Sequence, residues 1–222
     1  VILYIESWET PHFKKGFEKW IGYKVEYIGN TAIEKALKLT DKINARDNDM
    51  QTLWLGPYFL SLPDVLEGLK VIKSSQQIVL TLRSNSGKKE TVILKGQEWN
   101  FTGFPKLPKL NSENQPIFLS NTNDNYWNKA LPKHKAMYVQ FNLVQQKKGF
   151  TLNEFNVKLR KEIQQEKSQY LILDLRFNSG GNGSITPPML KTLMEFEIKN
   201  PKGKIFIIMG RRTYSAAQNL LT

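Results

Sequence analysis

Residues 170–183 read Tyr-Leu-Ile-Leu-Asp-Leu-Arg-Phe-Asn-Ser-Gly-Gly-Asn-Gly, and they limit the possible folds more than any other stretch. Tyr170–Leu175 is a short, nearly unbroken apolar run, the pattern of a parallel strand covered on both faces. It stops at a turn, residues 178–183, whose glycines admit positive φ and let the backbone approach a ligand closely. Pro187-Pro188 suits the first turn of a helix, which would turn Leu190, Leu193 and Met194 inward. A second apolar run, Ile205–Met209, follows, and then Gly210-Arg211-Arg212-Thr213-Tyr214-Ser215-Ala216-Ala217. Strand, crossover helix and strand make the two strands parallel neighbours with a right-handed crossover. The glycine turn and Ser215 then share one edge of the sheet, at the carboxyl ends of the strands, where open α/β sheets carry their sites.

That placement gives Ser215 a chemical reading. A serine hydroxyl is a weak nucleophile until a base takes its proton. At the start of a helix just past a strand the hydroxyl is exposed, and helix N-terminal amides with their partial positive charge face any developing oxyanion. The amide of Ala216 supplies one donor and that of Gly181, or else of Gly180, the other, since glycine lets the turn close on the carbonyl carbon. The competing reading of Ser215 is a plain helix cap, a position serine favours. Ser179 and Ser184 read as turn residues.

The remainder of the chain divides around a proline- and asparagine-rich linker, residues 97–132. Before it, Val1–Ser7 reads as a strand, Trp8–Trp20 as a short helix and Tyr23–Ile28 as a strand. Thr31-Ala32-Ile33-Glu34 has the form of a capping box, opening a helix to about Asn44 with Ile33, Ala36, Leu37 and Ile43 on one face. Residues 47–72, interrupted by Pro57 and Pro63, give two short helices, and Trp54, Tyr58 and Phe59 there read as packed core or interface. Gln77–Arg83 and Lys88–Leu94 flank Ser84-Asn85-Ser86-Gly87, a hairpin signal. Within the linker, Pro116–Leu119 is a candidate edge strand. After it, Ala136–Asn142 is the first strand of the second domain. Thr151-Leu152-Asn153-Glu154 is a second capping box, opening a helix with Leu152, Phe155, Leu159 and Ile163 inward.

Composition narrows the function. The chain has 222 residues with no Cys and two His, which removes disulfides, thiolate catalysis and the usual zinc sites. No run reaches the length of a membrane span. The net charge of +12 would suit an anionic partner, but the lysines are spread along the chain and mixed with acids, so nucleic acid is not the expected partner. The chain opens without Met inside a strand and stops soon after Ser215 inside a helix; it is expected to be part of a longer protein.

Asp174-Leu175-Arg176-Phe177-Asn178-Ser179-Gly180-Gly181 followed by Thr213-Tyr214-Ser215-Ala216-Ala217 resembles the C-terminal-processing (tail-specific) serine peptidases. Gly22-Tyr23-Lys24-Val25 through Ile33-Glu34 is similar to the motif of their PDZ-like module. The resemblance implies an α/β protein (α+β overall): a PDZ-like β-rich domain at 1–96 with a helical insertion at 47–72, the linker at 97–132, and at 133–222 the beginning of a crotonase-like or ClpP-like α/β peptidase core. It implies a serine-type peptidase, with Ser215 as nucleophile, Gly181, Gly180 and Ala216 at the oxyanion, and a lysine base downstream of Thr222. It further implies unfolded or C-terminal peptide substrates, no metal or organic cofactor, no stable membrane insertion, and a periplasmic or otherwise extracytoplasmic location. A related branch takes a His base from the first core strand. The matching position here is Gln140, which is no base, and His134 lies before the strand as a surface or hinge residue. Asp174 and Arg176 match the family pattern and read as a pair anchoring the strand end.

Two other classes compete. Gly180-Gly181-Asn182-Gly183 between strand and helix invites a dinucleotide site with Arg211-Arg212 on a 2′-phosphate, but the glycine spacing fails at Thr186. A catalytically silent relative would instead grip peptides by strand addition.

Overall fold

A computed structural model describes residues 18–20, 22–45, 48–95 and 115–221. The strand expected at 1–7, most of the helix expected at 8–20 and the linker from 97 to 114 lie outside these residues; Glu18–Trp20 is a single 3₁₀ turn. The chain forms two compact units, divided between Leu110 and Asn111. The class is mixed α/β, with one antiparallel and one mixed sheet. No helix among the described residues is long and apolar enough to cross a membrane.

The first unit holds an antiparallel sheet in the order β2-β1-β3-β4, from β1 (Lys24–Ile28), β2 (Thr31–Ala32), β3 (Gln77–Arg83) and β4 (Lys89–Lys95). Its helices are α1 (Ile33–Leu39), α2 (Asp49–Phe59) and α3 (Pro63–Gly68). Val25, Ile28, Ile33, Leu37, Leu66, Leu82 and Val92 form its core. The first expected capping box does not form. Thr31 pairs with Ile28 across the Gly29-Asn30 turn, so its hydroxyl meets the Val71 carbonyl at 3.5 Å. Ala32 occupies the N-cap without a side-chain bond. The helix also stops short, at Leu39, and a 3₁₀ turn at Thr40–Lys42 carries Ile43 off the buried face into solvent. Pro57 sits inside the last turn of α2 and does not end it; Asn48 caps that helix by accepting from the Met50 amide at 2.9 Å. Trp54, Tyr58 and Phe59 are half-buried.

The second unit has β5 (Tyr126–Leu131), β6 (Ala136–Phe141), β7 (Tyr170–Asp174) and β8 (Lys204–Ile208) in that spatial order. β5 is antiparallel to β6, and β6, β7 and β8 run parallel. Here the linker reading is corrected. Ile117–Leu119 is a 3₁₀ turn, and the edge strand is Tyr126–Leu131, ahead of the strand expected to be first. Its anchor is Tyr126, fully buried, whose hydroxyl donates to the Phe150 carbonyl.

Helix α4 (Leu152–Gln165) starts at a complete capping box. The Glu154 amide donates to Thr151 Oγ1 at 3.2 Å, and the Thr151 amide to Glu154 Oε2 at 2.7 Å. Leu152, Phe155, Leu159 and Ile163 are buried as expected. Helix α5 (Pro187–Lys199) begins at the proline pair but is rotated from the expected phase: Met189, Thr192 and Phe196 are buried, Leu193 packs against the core as expected, and Leu190 and Met194 face solvent. Thr192 fixes this phase, giving its hydroxyl proton to buried Asn156 of α4 at 2.7 Å. The core joins α4 and α5 to Met137, Val139, Leu171, Leu173 and Leu175. The expectation that Tyr170–Leu175 is covered on both faces holds in part: Leu171, Leu173, Asp174 and Leu175 are buried, Ile172 is half-buried and Tyr170 is exposed. Its neighbour β6 is buried throughout. The outer strand β8 exposes Phe206 and Ile207.

Candidate active site

The loops leaving β6, β7 and β8 converge at the carboxyl ends of the parallel strands, and Asn178 ties all three. It is fully buried. Its Nδ2 donates to the Phe141 carbonyl at 2.8 Å, and its Oδ1 accepts from the Gly180 amide at 3.0 Å. Its own carbonyl accepts from the Tyr214 amide at 3.1 Å. A second tie runs through Thr213, whose hydroxyl donates to the Leu175 carbonyl at 2.7 Å and accepts from the Gly210 amide at 2.9 Å. The turn before Ser215 is therefore stitched to the end of β7. Two residues apart, Asn178 and Gly180 make the turn close on itself, as Asn side chains do when they bond the backbone two residues on.

Ser215 follows at φ +53° and ψ −131°, a conformation that β-carbon sterics make costly outside glycine. A serine held there between strand and helix has its hydroxyl presented on a sharp elbow. Ser215 is exposed and occupies the N-cap of α6 (Ala216–Asn219), yet its side chain makes no capping bond. The competing role of helix cap is thus not being performed. Gly180 makes the elbow possible. It lies at φ +98°, and a β-carbon there would fall 2.6 Å from Ser215 Cβ, 2.9 Å from the Tyr214 carbonyl oxygen and 3.1 Å from the Ala216 amide nitrogen.

Gly181, at φ +135°, pairs with Val144 in an isolated parallel bridge. The Val144 amide donates to the Gly180 carbonyl at 2.9 Å, and the Asn182 amide donates to the Val144 carbonyl at 2.8 Å. In extended backbone successive amides alternate in direction, so the Gly181 N–H points away from Val144. Neither it nor the Ala216 N–H donates to any described residue. The structure thus brings Ser215, Gly180 and Ala216 into contact, with Gly181 next in the same turn. The expectation of Gly180 as an alternative oxyanion donor is corrected, because its amide is spent on Asn178 Oδ1. Ser179 is half-buried in this turn, and Ser184 donates its hydroxyl to Asn182 Oδ1 at 2.7 Å.

Beneath the site, Asp174 is fully buried at the end of β7. It accepts from Tyr138 Oη at 2.6 Å and from the Arg176 amide, Nε and Nη2, the last at 2.5 Å. The bonds that Arg176 donates to the Asp174 carboxylate hold its guanidinium above its ordinary pKa. Burial first, and then the bond to the Asp174 carboxylate, push the Tyr138 phenol up as well. Arg176 lies 3.7 Å over the Phe118 ring, a cation–π contact. This is the strand-end anchor expected of Asp174 and Arg176. Gln140, one strand over and also fully buried, gives its Nε2 proton to the Phe118 carbonyl at 2.9 Å.

His134 is exposed in a 3₁₀ turn before β6, at the far end of that strand from Phe141. At about 3.3 Å per residue the length of the strand separates it from the elbow. The dinucleotide reading meets a physical obstacle, since Pro187 and Pro188 at the start of α5 remove two amides that a phosphate would need. No group of three or more His, Cys, Asp or Glu suited to a metal occurs among the described residues. Asn178, Thr213 and Val144 were missed as site-builders by the sequence reading; the pairing of Asn178 with a glycine two positions on was the available signal.

Comparison with known proteins finds no family model that matches and no curated protein that does. Among solved structures the chain is similar to mature CPAF complexed with lactacystin, at 13% identity and a TM-score of 0.42, covering 78% of this chain and 38% of that one. It is also similar to mature CPAF, at 13% identity and a TM-score of 0.45, covering 81% of this chain and 38% of that one. The chain therefore spans well under half the length of the structures it resembles.

Proposed function

We propose that the protein is a serine-type peptidase acting through Ser215. The observation that carries this reading is the strained, exposed elbow: a non-glycine residue at φ +53° whose hydroxyl caps nothing, packed against a glycine turn that presents an undonated amide. Such strain persists only where surrounding structure imposes it, and it is commonest at reactive sites. In the proposed reaction Ser215 Oγ attacks the scissile carbonyl carbon while the base takes the hydroxyl proton. The oxyanion is held by the Ala216 and Gly181 amides, with Gly180 giving the turn its approach. The base passes the proton to the leaving amine, and water then releases the acyl group by the same steps. The base is a neutral lysine supplied from beyond Thr222, as the family resemblance implies. The same resemblance underlies a PDZ-like reading of the first unit, peptides as substrates and an extracytoplasmic location.

In the full-length protein, Ser215→Ala is expected to lower cleavage of a denatured protein by about 10⁴–10⁶-fold with unchanged circular dichroism. Cleavage at the wild-type rate would remove the assignment. A second reading, a silent relative that binds peptides, is favoured by Gln140, which stands buried where one branch of the family has its His. Peptide binding by wild type without any cleavage would select it.

A further inference from the structure

We propose that the site selects peptides bearing acidic residues beside the cleaved bond, with Arg211 as a specificity-determining residue; the inference rests on the peptidase reading of Ser215. The three loops at the carboxyl ends of the parallel strands are residues 142–151, 175–186 and 209–215. Together they contain Lys147, Lys148, Arg176, Arg211 and Arg212 and no Asp or Glu. Two of these cations are committed to the fold. Lys147 pairs with Asp124, and Arg176 forks onto buried Asp174. Arg212 is half-buried and engaged in its own contacts. Arg211 and Lys148 remain exposed, and neither is paired with a described acid.

Arg211 is not on a loose segment. Its neighbour Gly210 is held by Thr213 Oγ1, which is bound to the Leu175 carbonyl, and Tyr214 is bound to Asn178. The guanidinium is thus carried on a braced turn four residues ahead of the proposed nucleophile. Lys148 rides on the loop that Val144 clips to the glycine turn. A rim of one sign beside a reactive hydroxyl raises the local concentration of the opposite charge and favours substrates that bring it. A peptide lying across Ser215 meets this rim with its side chains, and carboxylates are the groups that match a planar, always-charged guanidinium.

The test uses the full-length protein and a mixed-sequence library of unstructured peptides, with the residues around each cleaved bond read by mass spectrometry. Wild type is expected to enrich Asp and Glu near the cleaved bond about fivefold at low salt, one charge contact at close range being worth about that much, with enrichment shrinking as salt rises. Arg211→Gln should bring the enrichment toward unity and Arg211→Glu should turn it toward Lys and Arg. Ratios within each variant cancel any general loss of activity. Cleavage without acidic enrichment, or enrichment indifferent to both substitutions, would overturn the proposal while leaving the peptidase reading standing. If no peptide is cleaved, the peptidase reading fails separately. Capture of the same library by Ser215→Ala protein then decides recognition: acid-enriched capture lost in the Ser215→Ala, Arg211→Gln double variant supports it, and unbiased capture overturns it. Preference for single-stranded DNA over acidic peptide in competition would also overturn it.

Discussion

Asn178 holds its carboxamide between the end of β6 and a turn amide, both out of water. Replacing it with alanine leaves the Phe141 carbonyl and the Gly180 amide without partners, each orphaned group costing about 1–3 kcal/mol. The expected outcome of Asn178→Ala is a lower urea midpoint together with loss of cleavage, because the turn that carries Gly180 also shapes the elbow. Ser215 offers a contrasting case. Its backbone sits where glycine is at ease, so Ser215→Gly should be inactive yet more stable than Ser215→Ala by about 1 kcal/mol; equal melting temperatures for the two variants would show that the elbow stores no strain. The position of Ser215 was legible because strand, glycine turn, helix and strand follow one another closely in sequence. The role of Asn178 was not, because its partners Phe141 and Tyr214 lie on either side of it by more than thirty residues.

The two threonine-led boxes look alike in sequence and end differently. Thr151 caps α4 in full, whereas Thr31 is drawn into the sheet. Thr151→Ala is therefore expected to lose about 1 kcal/mol, and Thr31→Ala no more than about 0.5 kcal/mol, compared by denaturant titration. The α4 cap also predicts a pH dependence. Bonds from the Thr151 backbone amide, and then from its hydroxyl, hold Glu154 below the ordinary carboxylate value. A folded-state pKa that is lowered stabilises above the unfolded value, about 4.3 for Glu, and that contribution is lost as pH falls through the lower folded value. The acid limb of the stability curve should be shallower in Glu154→Gln. Helix α5 shows why phase was harder to read than existence. Apolar residues flank both sides of the Lys191–Glu195–Lys199 row, so the choice between the Met189–Phe196 face and the Leu190–Met194 face rested on a buried Thr192–Asn156 bond that apolar periodicity does not register.

Across the molecule, the βαβ order of the second unit, its parallel pairing and the convergence of the glycine turn with Ser215 could all be read from apolar runs and their spacing. Strand β5 could not. Its Asn and Lys lower its apolar content, and it lies in a stretch whose prolines read as linker, although Tyr126 is buried as deeply as any core residue. The cationic loops were likewise not legible as a group until the strands were ordered, because Lys147, Lys148, Arg176, Arg211 and Arg212 come from three separate loops. At the other margin of the same sheet, β8 has one strand partner among the described residues and exposes Phe206 and Ile207, with Met209 just beyond. A greasy margin with unused amides and carbonyls invites another strand to join it. Residues 1–222 expressed alone should consequently scatter more light as concentration rises, and Phe206→Lys should return the preparation to single particles.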